Sequence, residues 1–320
     1  MPMNIQRFRR AFSMLELIFV IVIMGIIGKF GTEFLAQAYK NFISSSINNK
    51  LQSDSLSAVE FVSARLQHRI KASMIAREDN NTFTLLSEYD GQTANILEWI
   101  GSDEEGFRGD TTSYWSGILD LNSTLTNQAQ LYSIATDTAK VNSMIQVLSN
   151  GVSTINDAAV YFVNPDSLDT HWGWDWSSVV TKPKFVTQLG NAGDENAIHP
   201  INLGVTNTFL PVDSDGNANN FSGVDAFEYY QLAWTAYAVG IDDYNNTTHT
   251  GNLTLWYNYQ PWKGENRTAG ISSVIMENVS TFRFIARESL IKIQVCVKSD
   301  IVDGDNDAGG YSLCKEKTIF

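Results

Sequence analysis

The apolar residues of this chain fall into two regimes. From Phe12 to Gly28 they run almost unbroken, FSMLELIFVIVIMGIIG, and Glu16 is the one charged position. Beyond Lys29 they thin to helical spacing: Leu35, Tyr39, Phe42 and Ile43, Ile47, Leu51, then Val59, Val62, Leu66 and Ile70. The first stretch has the length and composition of a membrane span. The second has the period of an amphipathic helix. Together they predict one long helix to about residue 75, softest at Ser44-Ser45-Ser46 and Asn48-Asn49, which are poor helix formers.

From about Asn80 the pattern changes to short β-rich runs broken by Gly, Asn, Asp and Ser. Strands are predicted at Phe83 to Leu86, Ile96 to Trp99 and Ala158 to Val163, with a helical piece near Ala129 to Leu148. In the last third, Leu253, Leu255, Tyr257 and Tyr259 alternate with Thr254, Trp256 and Asn258. Likewise Ile291, Ile293, Val295 and Val297 alternate with Lys292, Gln294, Cys296 and Lys298. A period of two marks half-buried antiparallel strands. It places Cys296 on a polar face, within reach of a returning loop that carries Cys314.

Composition narrows the classes. With 320 residues and 43% hydrophobic content the chain can bury a sizeable core, in one large domain or two. A net charge of −13 argues against nucleic-acid partners, because phosphate neutralisation needs clustered Lys and Arg. Cys296 and Cys314 are the only cysteines. Behind a membrane segment, a disulfide in an oxidising compartment fits them better than a metal site, which needs more ligands; two unpaired thiols are the alternative.

Candidate chemistry is sparse. His68, His171, His199 and His249 lie far apart without metal-ligand spacing, and no phosphate loop or nucleophile elbow is visible. The sequence therefore implies no enzyme and no cofactor. Two acidic loops stand out. Asp303, Asp305 and Asp307 alternate in a pattern that can wrap calcium, and Asp213-Ser214-Asp215-Gly216-Asn217 is a weaker copy. Neither completes an EF-hand, and a solvated surface turn is the competing reading of the first. In His171-Trp172-Gly173-Trp174-Asp175-Trp176, three tryptophans at alternate positions share a face if the segment is extended, either as a binding platform or as core anchors.

Residues 1–28 admit three readings. A cleavable secretory signal requires a shorter apolar run and a small-x-small cleavage site, and Lys29-Phe30-Gly31 offers none. An ordinary signal anchor puts Arg7, Arg9 and Arg10 in the cytoplasm and leaves Glu16 unexplained. Such a carboxylate costs about 2.5–3.5 kcal/mol at mid-bilayer. The third reading explains it. The run Arg9-Arg10-Ala11-Phe12-Ser13-Met14-Leu15-Glu16-Leu17-Ile18 resembles, position for position, the processing signal of the type IV pilin and pseudopilin superfamily.

The resemblance implies cleavage by a prepilin peptidase between Ala11 and Phe12, with methylation of the new amine, so that residues 1–11 are leader. It implies residues 12–28 as the transmembrane part of the helix and 29–75 as its amphipathic continuation. Residues 76–320 would then be a β-rich head outside the cytoplasm, with room for an inserted lobe. The implied fold is α+β, a long N-terminal helix packed on an antiparallel sheet. Glu16 would pair with the free amine of a neighbouring subunit and set register on assembly. The partners implied are the peptidase, other pilin or pseudopilin subunits and the inner membrane. Ala11 stands where Gly is usual, and the helix lacks the proline of major pilins. Ala11 bears on how efficiently the leader is cut; the missing proline, the size of the head, and a weaker resemblance of Val274 to Val297 to the C-terminal sheet of J-type pseudopilins and W-type minor pilins point to a minor subunit. Related pseudopilins use calcium in the C-terminal head, which strengthens the calcium reading of Asp303, Asp305 and Asp307, while a solvated surface turn between Cys296 and Cys314 remains the better reading. Sequence does not separate a type IV pilus from a type II secretion pseudopilus. From another class, the alternative is a signal-anchored periplasmic enzyme or adhesive protein with Trp172, Trp174 and Trp176 lining its site.

Overall fold

The structure is a computed structural model that describes residues 13–78, 82–163, 172–174, 197–205, 207–222, 224–287, 290–299 and 312–320. It divides into two compact units, Met1–Leu51 and Gln52–Phe320. Helix α1, Met14–Gln67, belongs to both. It is unbroken through Gly25, Gly28, Gly31, the serine triplet and Asn48-Asn49. No residue between Ser13 and Leu51 is buried. The last turns are different: Ser55, Ala58, Val59, Val62, Ser63 and Leu66 are buried at helical spacing.

The helix ends at Gln67, short of the predicted residue 75, and the reason is tertiary. The N–H groups of His68 and Arg69 reach only three residues back, to Arg65 O and Leu66 O, and His68 and Ile70 then exchange backbone bonds with the end of a strand. Ile70 N–H donates to Ile100 O at 2.9 Å, and Ser102 N–H to His68 O at 2.8 Å. The Arg69 Nη1 donates to Leu66 O at 2.7 Å and satisfies one of the terminal carbonyls.

Thirteen strands are described, in two antiparallel sheets. The larger contains β1 (Ile75–Arg77), β2 (Phe83–Leu85), β3 (Ile96–Gly101), β9 (Thr235–Asn245), β10 (Thr250–Tyr259), β11 (Ile271–Arg287), β12 (Leu290–Lys298) and β13 (Ser312–Ile319), in the order β13-β12-β11-β10-β9-β3-β1-β2. Between the paired strands β3 and β9 the chain makes a long excursion. It builds α2 (Glu104–Arg108), α3 (Thr138–Leu148) and a five-stranded sheet from β4 (Leu131–Tyr132), β5 (Ala159–Phe162), β6 (His199–Leu203), β7 (Thr208–Pro211) and β8 (Tyr230–Ala233), ordered β4-β7-β6-β5-β8. Two apolar clusters are described, one around Trp172, Trp174, Tyr259 and Trp262 that also takes in Ala159 and Ala233 of the smaller sheet, the other around Trp115, Ile145, Phe209 and Leu232.

The end of α1 lies against the larger sheet. The Arg65 guanidinium sits 5.7 Å from the ring centre of Tyr237 on β9, and Glu60 pairs with Lys317 on β13. The fold is therefore α+β, a long N-terminal helix packed on antiparallel sheet.

Local patterns failed at two further places. Residues 129–148 are not one helix: Leu131 and Tyr132 pair with Phe209 and Thr208, and α3 starts only where the Asp137 carboxylate accepts Lys140 N–H at 3.1 Å. In β10 the alternation breaks at Asn258, which has φ 61° and an extra place in the ladder between Tyr257 and Tyr259. That bulge moves Tyr259 into the cluster of Trp256 and Trp262 and buries Asn258.

Candidate functional site

Helix α1 begins with a reciprocal cap. Ser13 Oγ accepts Glu16 N–H at 3.3 Å, and the Glu16 carboxylate accepts Ser13 N–H at 3.3 Å. Ser-x-x-Glu before an apolar run is the signature of a capping box. The sequence reading missed it, although both residues stand in plain view. Glu16 thus satisfies helix-end donors that hydrocarbon could not solvate.

Around and beyond that cap, Met14 to Ile27 present large apolar side chains to every side, followed by Phe30, Phe34, Leu35, Tyr39 and Phe42, all exposed. Lys29 and Glu33, 3.9 Å apart, begin the more polar half. One helix is therefore long and apolar enough to cross a membrane, as single-pass anchoring requires. Its only carboxylate in the apolar stretch lies at the very start.

The head holds a second unusual arrangement. Arg77 on β1 and Glu98 on β3 are both 0% exposed, and Arg77 Nε donates to Glu98 Oε1 at 2.8 Å. Arg77 Nη2 also donates to Trp174 O at 3.3 Å, and its guanidinium lies 5.2 Å from the ring centre of Phe83. The Tyr259 hydroxyl donates to Glu98 Oε2 at 3.5 Å, and Arg267 Nη1 stands 3.9 Å from Glu98 Oε1. Burial pushes the Glu98 carboxyl up, while the two guanidinium groups pull it down. The pair ties β1 to β3, on which Arg77 and Glu98 stand, and to Tyr259 on β10. Sequence reasoning missed it too. The signal was a single charge in each of two apolar strands, Ile75-Ala76-Arg77 and Ile96-Leu97-Glu98-Trp99-Ile100.

The other predicted residues divide. Cys296 and Cys314 form a disulfide. Cys314, however, is not on a loop: it stands on β13 directly opposite Cys296 on β12, with Cα atoms 4.0 Å apart, and Cys296 is buried. Trp172 and Trp174 are core, not a platform. Gly173 between them has φ 88°, so the segment is not extended, and a Cβ there would lie 2.4 Å from Pro261 O. Trp174 Nε1 donates to Ser73 O at 2.9 Å. The Asp213 carboxylate is turned onto its own loop, where it accepts the N–H groups of Asp215 and Asn217, each at 2.9 Å. Ala11, Phe12, Trp176, Asp303, Asp305 and Asp307 lie outside the described residues.

No protein-family model, curated protein or solved structure matches this chain.

Proposed function

We propose that the chain is a minor pilin or pseudopilin, a structural subunit that primes or caps a type IV pilus or a type II secretion pseudopilus. In this reading the leader ends at Ala11, the helix from Phe12 anchors the protein in the inner membrane, and the head lies in the periplasm until assembly. The observation that carries it is the form of α1. It is an apolar helix uncovered on all sides, with a single carboxylate at its start, continuous with the spine of a β head. A cap needs only the hydrogen-bonding oxygens of Glu16, which Gln would also supply, whereas a helix that bundles with its neighbours can use the charge itself against a positive partner. No catalytic role is proposed for the head, and its function in this reading is subunit contact.

The capping box makes Glu16 testable in two ways. Gln serves at that cap position as Glu does, so Glu16→Gln keeps the local geometry and removes the charge, while Glu16→Ala removes both. If the carboxylate sets register, both variants lose co-purification with partner pilin or pseudopilin subunits from the producing cell. Capture retained by Glu16→Gln would reduce Glu16 to a helix cap. Capture retained by both would overturn the assembly role.

A further inference from the structure

The connection between β2 and β3, the tip of β9 and the middle of β11 line an open cavity of about 480 Å3. Its wall is built in advance. The Tyr89 hydroxyl accepts Ala94 N–H at 2.7 Å, and Gln92 N–H donates to Asp90 Oδ1 at 3.0 Å. Gly91, at φ 88°, lets the loop lie against Ile285, where a Cβ would come within 3.3 Å of the side chain. The strands bend here as well. The β11–β12 ladder shifts register between Val279 and Thr281, and Asn278 beside it has φ 59°. The β9–β10 ladder shifts between Thr250 and Asn252, and Asp243 on β9 has φ 51°. Bulges and left-handed non-glycine residues re-aim side chains and are enriched at sheet edges and beside binding sites.

The residues that line it are chemically mixed. Tyr89 and Tyr244 supply aromatic rings, Gln92 and Asn95 amides, Thr281 a hydroxyl and Arg283 a guanidinium. Apart from Tyr89, which holds the loop, these side chains have no hydrogen-bond or ion-pair partner among the described residues. Aromatic faces suit the C–H face of a pyranose, and amides and hydroxyls match its ring hydroxyls as both donors and acceptors. A guanidinium fork matches a carboxylate. In a chain of net charge −13, with Asp90, Asp242 and Asp243 neighbouring the lining residues in sequence, a single negative charge at Arg283 is better tolerated than a dianionic phosphate there, and an acidic saccharide spaces its carboxylates one ring apart.

We propose that this cavity binds a uronic-acid-type saccharide, its carboxylate held by Arg283 and its ring stacked on Tyr244. The proposal stands apart from the assembly role of α1. The test is calorimetric titration of the full-length chain in detergent with trigalacturonate and, as the neutral control, maltotriose. Tyr244 is 48% exposed and Arg283 is also exposed, so substitutions there keep the wild-type melting temperature. Trigalacturonate is expected to bind, and maltotriose at least about tenfold more weakly. Arg283→Gln and Tyr244→Ala are each expected to weaken trigalacturonate by about tenfold or more. Absence of trigalacturonate binding, equal binding of maltotriose, or unchanged binding by both variants would overturn the site.

Discussion

Glu98 is a carboxylate with no access to water, and its environment decides what happens when a partner is removed. Breaking a buried ion pair leaves the other charge uncompensated, which costs about 3–5 kcal/mol, whereas replacing both members with apolar groups is often neutral. Glu98→Ala, which strands Arg77 and Arg267, is expected to destabilise the head by about that amount in chemical denaturation. Arg77→Met combined with Glu98→Leu should recover most of the loss. Equal destabilisation by the single and double variants would mean that packing, not charge, explains the site.

His199 carries a second expectation at this scale. Its imidazole is buried beside Phe162 at 5.2 Å, its Nδ1 has no partner among the described residues, and burial pushes its pKa down to about 3. In the unfolded chain the ring protonates near 6.5. As pH falls the unfolded state therefore takes up the proton first. Stability from this group is complete above about pH 6.5 and is lost toward pH 3, by about 5 kcal/mol in all. His199→Leu should narrow the difference in unfolding free energy between pH 7 and pH 4. An unchanged difference would place the acid sensitivity elsewhere.

Among the elements, β13 is the clearest case of an edge held by design. It is the last strand of its sheet, its residues are mostly exposed or half-exposed, and it bears Lys315 and Lys317, which discourage pairing with another chain. Lys292 and Glu316 lie 2.8 Å apart but are half-exposed, so they contribute little. The disulfide to β12 is the strong tie. The Cys296→Ala, Cys314→Ala double variant should lose about 3 kcal/mol, together with the hydrogen-exchange protection of residues 312–319. Protection that survives would show that the ladder alone holds the edge.

The same elements show what sequence could carry. The helix was legible because its apolar run and its period are local, and so were β3, β5 and β12, whose burial follows from a few consecutive residues. What local pattern missed depends on distant partners. The stop at Gln67 is written in Ile100 and Ser102, β4 exists because Phe209 and Thr208 lie beside it, and the phase of Tyr259 is set by a bulge at Asn258. Of the site, the exposed carboxylate of Glu16 was readable from its apolar surroundings. Its capping partner Ser13 was readable but overlooked. The Arg77–Glu98 contact joins residues across a hairpin and a core that only the fold assembles.

At the scale of the whole molecule, the chain couples a bare apolar helix to an acidic head with two apolar clusters. The helix is long and apolar enough for single-pass anchoring, and the proposal adds that such an anchor is an assembly part retained after processing. One measurement separates these most directly: the intact mass of the protein purified from membranes of cells that contain a prepilin peptidase. The account predicts a mature chain beginning at Phe12, with or without one methyl group on its amine. A chain that keeps residues 1–11, or one that has lost the whole apolar segment, would contradict it.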